Sequence, residues 1–342
     1  MRRNRPRRES PPRPRLRSLQ RARGIAQRFS CLACILALAF STIARADSPT
    51  DLLTAGRVDD AIQTLQQQLA RSPNDGASQN LLCRAYFMLD DWDHGIPACE
   101  HAVALDSTNA LYHLWLGRIY GEKADRAGFL SAIGLARRVH TEFETAVDLA
   151  PSDVAARTDL AEFYLEAPGI IGGSKDKARA QAETIARLDP AAAHWVIGRL
   201  AERAKDQRSA EREFRAAIDS SHGGARAWLN LAIFFRHTNR LDQMEQALIT
   251  LESRPLDRPE SLMDGASLLL RTGRNLPLAV RLLRRYLQSP VEQGPAFKAH
   301  SMLGQVLEKQ GDRAGATDQF RAALALAHTY APAKEALERV EH

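Results

Sequence analysis

The sequence predicts an all-α solenoid of antiparallel helix pairs, and three observations predict it. A signature of a large apolar residue, a small one, two of any kind, then an aromatic or apolar one returns about every 34 residues. It reads Leu82-Cys83…Tyr86, Leu116-Gly117…Tyr120, Leu160-Ala161…Tyr164, Ile197-Gly198…Ala201, Leu231-Ala232…Phe235 and Leu303-Gly304…Leu307. A period in that range marks stacked two-helix units, not a closed globule with one cleft. Strand signals are nearly absent, with no alternating Val/Ile/Thr run between Asn-Gly turns. Proline follows helical stretches at Pro73, Pro151, Pro190 and Pro290, and is expected between helices, not inside them. It lacks an N–H and clashes with the preceding turn, so it stops one helix and opens the next.

The sequence opens on a leader. Residues 1–46 hold twelve Arg and one acid, Glu9, while the whole sequence carries +6. The remainder is therefore mildly acidic, and the basic balance belongs to the leader. That arithmetic removes the charge argument for nucleic-acid binding by the body, and none is expected. An Arg- and Pro-rich stretch, a short apolar run over 31–44 and Ala44-Arg45-Ala46 follow in the order of a secretory signal peptide. Cleavage is expected after Ala46, placing the product in the periplasm or outside the cell. The alternative is an uncleaved anchor in the inner membrane, and only then is a membrane partner expected. The run is short for a span of about 20 residues.

Domain organisation follows from the repeat. Residues 47–342 are expected to form about seven to eight units, near 48–74, 76–109, 110–153, 154–190, 191–224, 225–257, 259–290 and 296–329. Ser48 is a candidate N-cap with Pro49 at the first helical position. Residues 331–341 read as a polar closing helix that covers the last apolar face. Met263, Ala266 and Ser267 stand where the signature of the seventh unit belongs. Two neighbouring units are long, with insertions at 121–138 and 165–177. Both are expected in the turn between paired helices, touching on one rim, where insertions often mark a binding surface. The second carries the candidate rim loop Pro168, Gly169, Ile170, Ile171, Gly172 and Gly173.

These residues resemble the tetratricopeptide repeat (TPR) family. Trp228, Leu231, Ala232 and Phe235 fit positions 4, 7, 8 and 11 of its unit. Ala210, Phe214 and Ala217 fit positions 20, 24 and 27, as do Ala316, Phe320 and Ala323. Small side chains at a crossing let helices approach, and large ones fill the space beside it. The stretches Tyr112–Gly121 and Phe163–Ala178 resemble a bacterial group of exported TPR proteins. The resemblance implies a right-handed superhelix and a non-catalytic scaffold that binds protein or peptide on its concave face.

The implied inner face comprises positions 2, 5, 9 and 12 of each first helix. It carries Arg84, Arg118, Glu162 and Arg199, with Arg226, Arg236 and Arg271 further along. Trp195 and Phe87 supply apolar anchoring. Guanidinium groups pair with carboxylates in bidentate fashion, so an acidic segment or a C-terminal carboxylate is the expected partner. The competing expectation is that these arginines pair internally with Glu162, Glu202 and their like.

Chemistry beyond binding finds little support. Cys83 and Cys99 face each other within one unit; they are either a disulfide or two buried thiols. The sequence Gly169–Lys175 lacks the second glycine and the preceding strand of a phosphate loop. There is no His-Glu-x-x-His, no G-x-S-x-G and no ligand-spaced Cys/His cluster, so no metal, cofactor or catalytic residue is expected. Asp59-Asp60 and Asp90-Asp91 are expected to cap helix starts. An enzymatic or small-ligand role at the insertion rim is the alternative, beside a tethered envelope assembly factor.

Overall fold

The computed structural model describes residues 47–289 and 295–342. The leader and Pro290 lie outside them. Seventeen α-helices occur among the described residues, and no strand. They run as pairs: α1 (Pro49–Thr54) with α2 (Val58–Arg71), α3 (Gly76–Met88) with α4 (Trp92–Leu105), and α5 (Ala110–Arg126) with α6 (Phe129–Leu149). Next come α7 (Val154–Glu166) with α8 (Lys175–Ile185), α9 (Pro190–Arg203) with α10 (Gln207–Ser220), and α11 (Ala225–His237) with α12 (Leu241–Glu252). The series ends with α13 (Glu260–Thr272) and α14 (Leu276–Gln288), α15 (Ala296–Lys309) and α16 (Arg313–Leu326), then α17 (Ala331–Glu341).

Local chemistry sets the ends of these helices. Ser48 and Asp51 form a reciprocal capping box with Pro49 in the first turn. Asp75, Asp91, Asp153, Asp189, Asp206 and Asp312 cap the helices that follow them through side-chain oxygens. One expectation fails at Pro97, which lies inside α4. Its ring nitrogen has no hydrogen to give the carbonyl of Asp93, and the helix continues with one bond fewer.

Within a pair, a small residue on the first helix receives a large one from the second. A Cβ built on Gly117 would stand 2.5 Å from the Phe143 ring, and one on Gly304 2.5 Å from that of Phe320. At Gly198 the same approach to Phe214 is 2.9 Å. Cys83 and Cys99 occupy the equivalent places in their pair, where a disulfide joins them with Cα atoms 5.1 Å apart.

Among the described residues, first helices of successive units touch along most of the array, whereas second helices meet closely only at α12 and α14. The first helices therefore line the inside of the curve. The curve continues until its ends meet. Leu52, Leu53, Val58 and Ala61 share a buried cluster with Phe297, Ala323, Ala327 and Ala333. Gly56, at φ +74°, leaves room for Ala296, whose Cβ would lie 2.7 Å from an added one. Lys298 Nζ donates to Asp90 at 2.8 Å. Asp59 accepts from the backbone N–H of His328 at 2.5 Å and from the Thr329 hydroxyl at 3.1 Å. Asp59 and Asp90 thus hold this seam, while Asp91 does the capping.

The inserted residues sit differently from the expectation of a long turn. In the third pair they lengthen both helices, to 17 and 21 residues, and Ala127-Gly128 alone connects them. In the fourth pair Gly169–Ile171 form a single 3₁₀ turn that touches α6.

Candidate functional site

The inner face is assembled from α3, α5, α7, α9 and α11, each offering a stripe of side chains one helical turn apart. Arg84 on α3 is half-buried, with its guanidinium carbon 5.0 Å from the centroid of the Trp115 ring. Its Nε lacks a hydrogen-bond partner, and no carboxylate engages the group among the described residues. Burial, and then the neighbouring Arg118, pull its pKa below the ordinary arginine value. Phe87 and Trp92 extend the aromatic surface: Phe87 stands edge-on to both Trp115 and Trp92, with centroids 5.4 and 5.6 Å away.

Arg118 behaves differently. It stacks on the same Trp115 ring at 4.9 Å but donates from Nε to Asp159 at 2.7 Å. Arg199 is also engaged, donating to Glu166 at 2.6 Å and to Glu202 at 3.1 Å. Both follow the internal-pairing expectation. Arg226 does not pair directly: its backbone N–H donates to Asp257 at 3.0 Å, and its guanidinium makes no hydrogen bond or ion pair among the described residues, although the charges of Asp189, Asp257 and Asp159 act on it. Burial, with Arg258 adding to it, lowers the Arg226 pKa. Arg236 is exposed, and its guanidinium too lacks a partner among the described residues.

Glu162 pairs with none of these arginines. It is open to solvent at its own surface, yet the surrounding wall desolvates it enough to raise its pKa, with Arg199 opposing. Trp195 on α9 is half-buried and packs on both large core clusters, so it joins the two halves of the array. Among the rim-loop residues, Pro168, Gly169 and Ile170 are exposed, and Ile171, Gly172 and Gly173 are partly covered. Gly172 sits at φ +108° with a would-be Cβ 2.8 Å from the His140 ring, so a side chain is excluded there twice over.

Two contributors escape a reading of positions 2, 5, 9 and 12. Trp115 lies at position 6, and Asp264 belongs to the unit whose signature has decayed. The Asp264 carboxylate accepts no hydrogen bond among the described residues, and burial raises its pKa. Among those residues no group of three His, Cys, Asp or Glu is arranged to hold a metal ion. The histidines found sit within or beside pairs, as where His113 Nδ1 meets Glu142 at 2.6 Å.

A curved array of helix pairs with an inner face of aromatic and charged side chains defines a repeat scaffold for protein interactions. The tetratricopeptide repeat profile matches residues 50–110, 196–248 and 263–331, more than half of the sequence. The chain belongs to the tetratricopeptide repeat family. The stretch between the first two matches, residues 111–195, contains nearly all of the two long units.

Solved structures to which the chain is similar include yeast Tom70, at 18% identity and TM-score 0.49, covering 83% of this chain and 58% of that one. The chain thus spans under two thirds of Tom70. TTC0263, a thermophilic TPR protein of Thermus thermophilus, aligns at 18% identity and TM-score 0.43, covering 57% and 99%. A human IFIT1 dimer with PPP-AAAA aligns at 18% and 0.42, covering 80% and 69%. These likenesses concern the fold alone. No curated protein sequence matches the chain.

Proposed function

We propose that the protein is an exported, non-catalytic adaptor that holds an acidic protein segment or a C-terminal carboxylate against its inner face. The observation that carries this reading is Arg84, a half-buried guanidinium on an aromatic ring with no anionic partner. Leaving a charge partly desolvated and unpaired is unfavourable, and a ligand carboxylate relieves it. Arg226 lies further along the same face, with its charge already met in part by Asp189, Asp257 and Asp159. Arg118 and Arg199, already paired, shape the surface.

The test is fluorescence anisotropy with labelled peptides of one sequence in three forms: acidic with a free C-terminus, amidated, and with Gln in place of its acids. Arg84→Gln weakens the acidic form by about tenfold or more, the worth of a charge-assisted hydrogen bond. Equal binding of all three forms, or no effect of Arg84→Gln, refutes the carboxylate reading. Export rests on the leader sequence, and N-terminal sequencing of the exported product decides it. A product beginning at Asp47 supports a free adaptor; a retained leader supports the tethered alternative.

A further inference from the structure

The α5–α6 hairpin differs from the other pairs in what it shows to solvent. Phe129 and Leu130, in the first turn of α6, are 79% and 83% exposed. Exposed apolar patches on a protein surface often mark a site that another surface covers. The tip also stands clear of the body. A Cβ added at Gly128 or Gly134 would meet nothing within 4 Å.

Composition changes at the same place. Residues 127–141 contain no acid, although residues 47–342 are acidic on balance. They do contain Arg137, Arg138 and His140. Arg138 donates to Glu100 at 3.0 Å and to the Tyr120 hydroxyl at 2.8 Å. Arg137 is exposed, with no partner for its guanidinium among the described residues.

We propose that this tip is a membrane-touching surface, with Phe129 and Leu130 entering the acyl boundary of an anionic bilayer and Arg137 meeting headgroup phosphates. The dimensions agree. Eight residues of helix separate Phe129 from Arg137, about 12 Å at 1.5 Å per residue. Interfacial anchors bury their apolar part roughly 5–10 Å deep, with cations above. On the α5 side of the tip Glu122 and Asp125 are balanced by Lys123 and Arg126, and on the α6 side fifteen residues carry no acid, so the tip as a whole is cationic through Arg137 and Arg138 and suits a negative lipid surface. No helix of the described residues is long and apolar enough to cross a membrane, so the contact is peripheral. This inference is independent of the inner-face reading, since Arg84 and the tip share no residue.

Vesicle flotation tests it. Residues 48–342 form a compact unit with its own cores, so a protein starting at Asp47 is used beside the full-length one. The shorter form floats with phosphatidylglycerol–phosphatidylcholine vesicles and much less with phosphatidylcholine alone. Phe129→Ser with Leu130→Ser lowers the bound fraction about tenfold. Arg137→Gln lowers it severalfold, and added salt does the same. Ile249→Ser, at an exposed apolar residue on α12 away from this hairpin, leaves it unchanged. The proposal is overturned if the shorter form does not float, or if the double variant floats as well as its parent. It is equally overturned if Ile249→Ser has as large an effect. Light scattering that shows a dimer abolished by the double variant, without flotation, assigns the tip to a second copy instead. Circular dichroism of the double variant confirms that it is folded.

Discussion

Replacing Gly304 with alanine sets two opposed effects against each other at one site. Gly304 lies inside α15, where alanine is favoured over glycine by about 0.8–1.0 kcal/mol. The new methyl, however, lands 2.5–2.9 Å from three carbons of the Phe320 ring, and that ring is fully buried. Forcing a methyl into a packed core costs about 1–3 kcal/mol. Packing wins, and Gly304→Ala destabilises by about 1 kcal/mol net. Gly134→Ala supplies the control, because that glycine is also helical but its added Cβ meets nothing within 4 Å. It should stabilise by about 0.5–1 kcal/mol. Thermal denaturation followed by circular dichroism reads both, at roughly 2–4 °C per kcal/mol for a protein approaching this size. Hydrogen exchange localises the loss to α15 and α16, since repeat arrays open unit by unit. Two shifts of the same sign would refute the claim that the small–large crossing, not helix propensity, decides tolerance at position 8.

Three further outcomes follow from the geometry. Cys83→Ser with Cys99→Ser should destabilise the second unit by about 3 kcal/mol, for a separation of 16 residues. Thiol titration of the denatured, leader-free protein should find neither cysteine free, and two free thiols would exclude the bond. Phe297→Ala removes a fully buried ring from the seam, a loss of about 3–5 kcal/mol. Small-angle scattering should then report a larger maximum dimension, and an unchanged profile would mean the ends hold without it. Tyr330 meets Phe297 edge-on with ring centroids 4.9 Å apart, and burial, helped by the charge of Asp90, pushes its pKa up to about 12 from 10.0. The folded state keeps the proton that the unfolded state has lost, so the contribution is whole below pH 10 and fades as pH rises toward 12. Alkaline denaturation should shift upward in Tyr330→Phe, and an unshifted midpoint would contradict the assignment.

The sequence by itself determined the units, because what makes a helix pair is local. Gly304 with Phe320, Gly198 with Phe214 and Cys83 with Cys99 are each 16 residues apart, and that spacing encodes the crossing. The capping box at Ser48 is equally local, needing only residues three apart. Pro97 escaped because a helix tolerates one missing hydrogen bond when its packing holds. The inserted residues of the third pair escaped for a related reason: a helix extended at its free end and a longer loop have the same length in sequence.

Only the tertiary structure decided which arginines are spoken for. Arg118 finds Asp159 across 41 residues, while Arg84, at the same position of the preceding unit, finds only a ring. Small rotations between units choose among such partners, and the repeat pattern does not record those rotations. Closure of the seam is the extreme case. Asp59 and His328 are 269 residues apart, and the bond between them depends on the curvature accumulated over every unit in between.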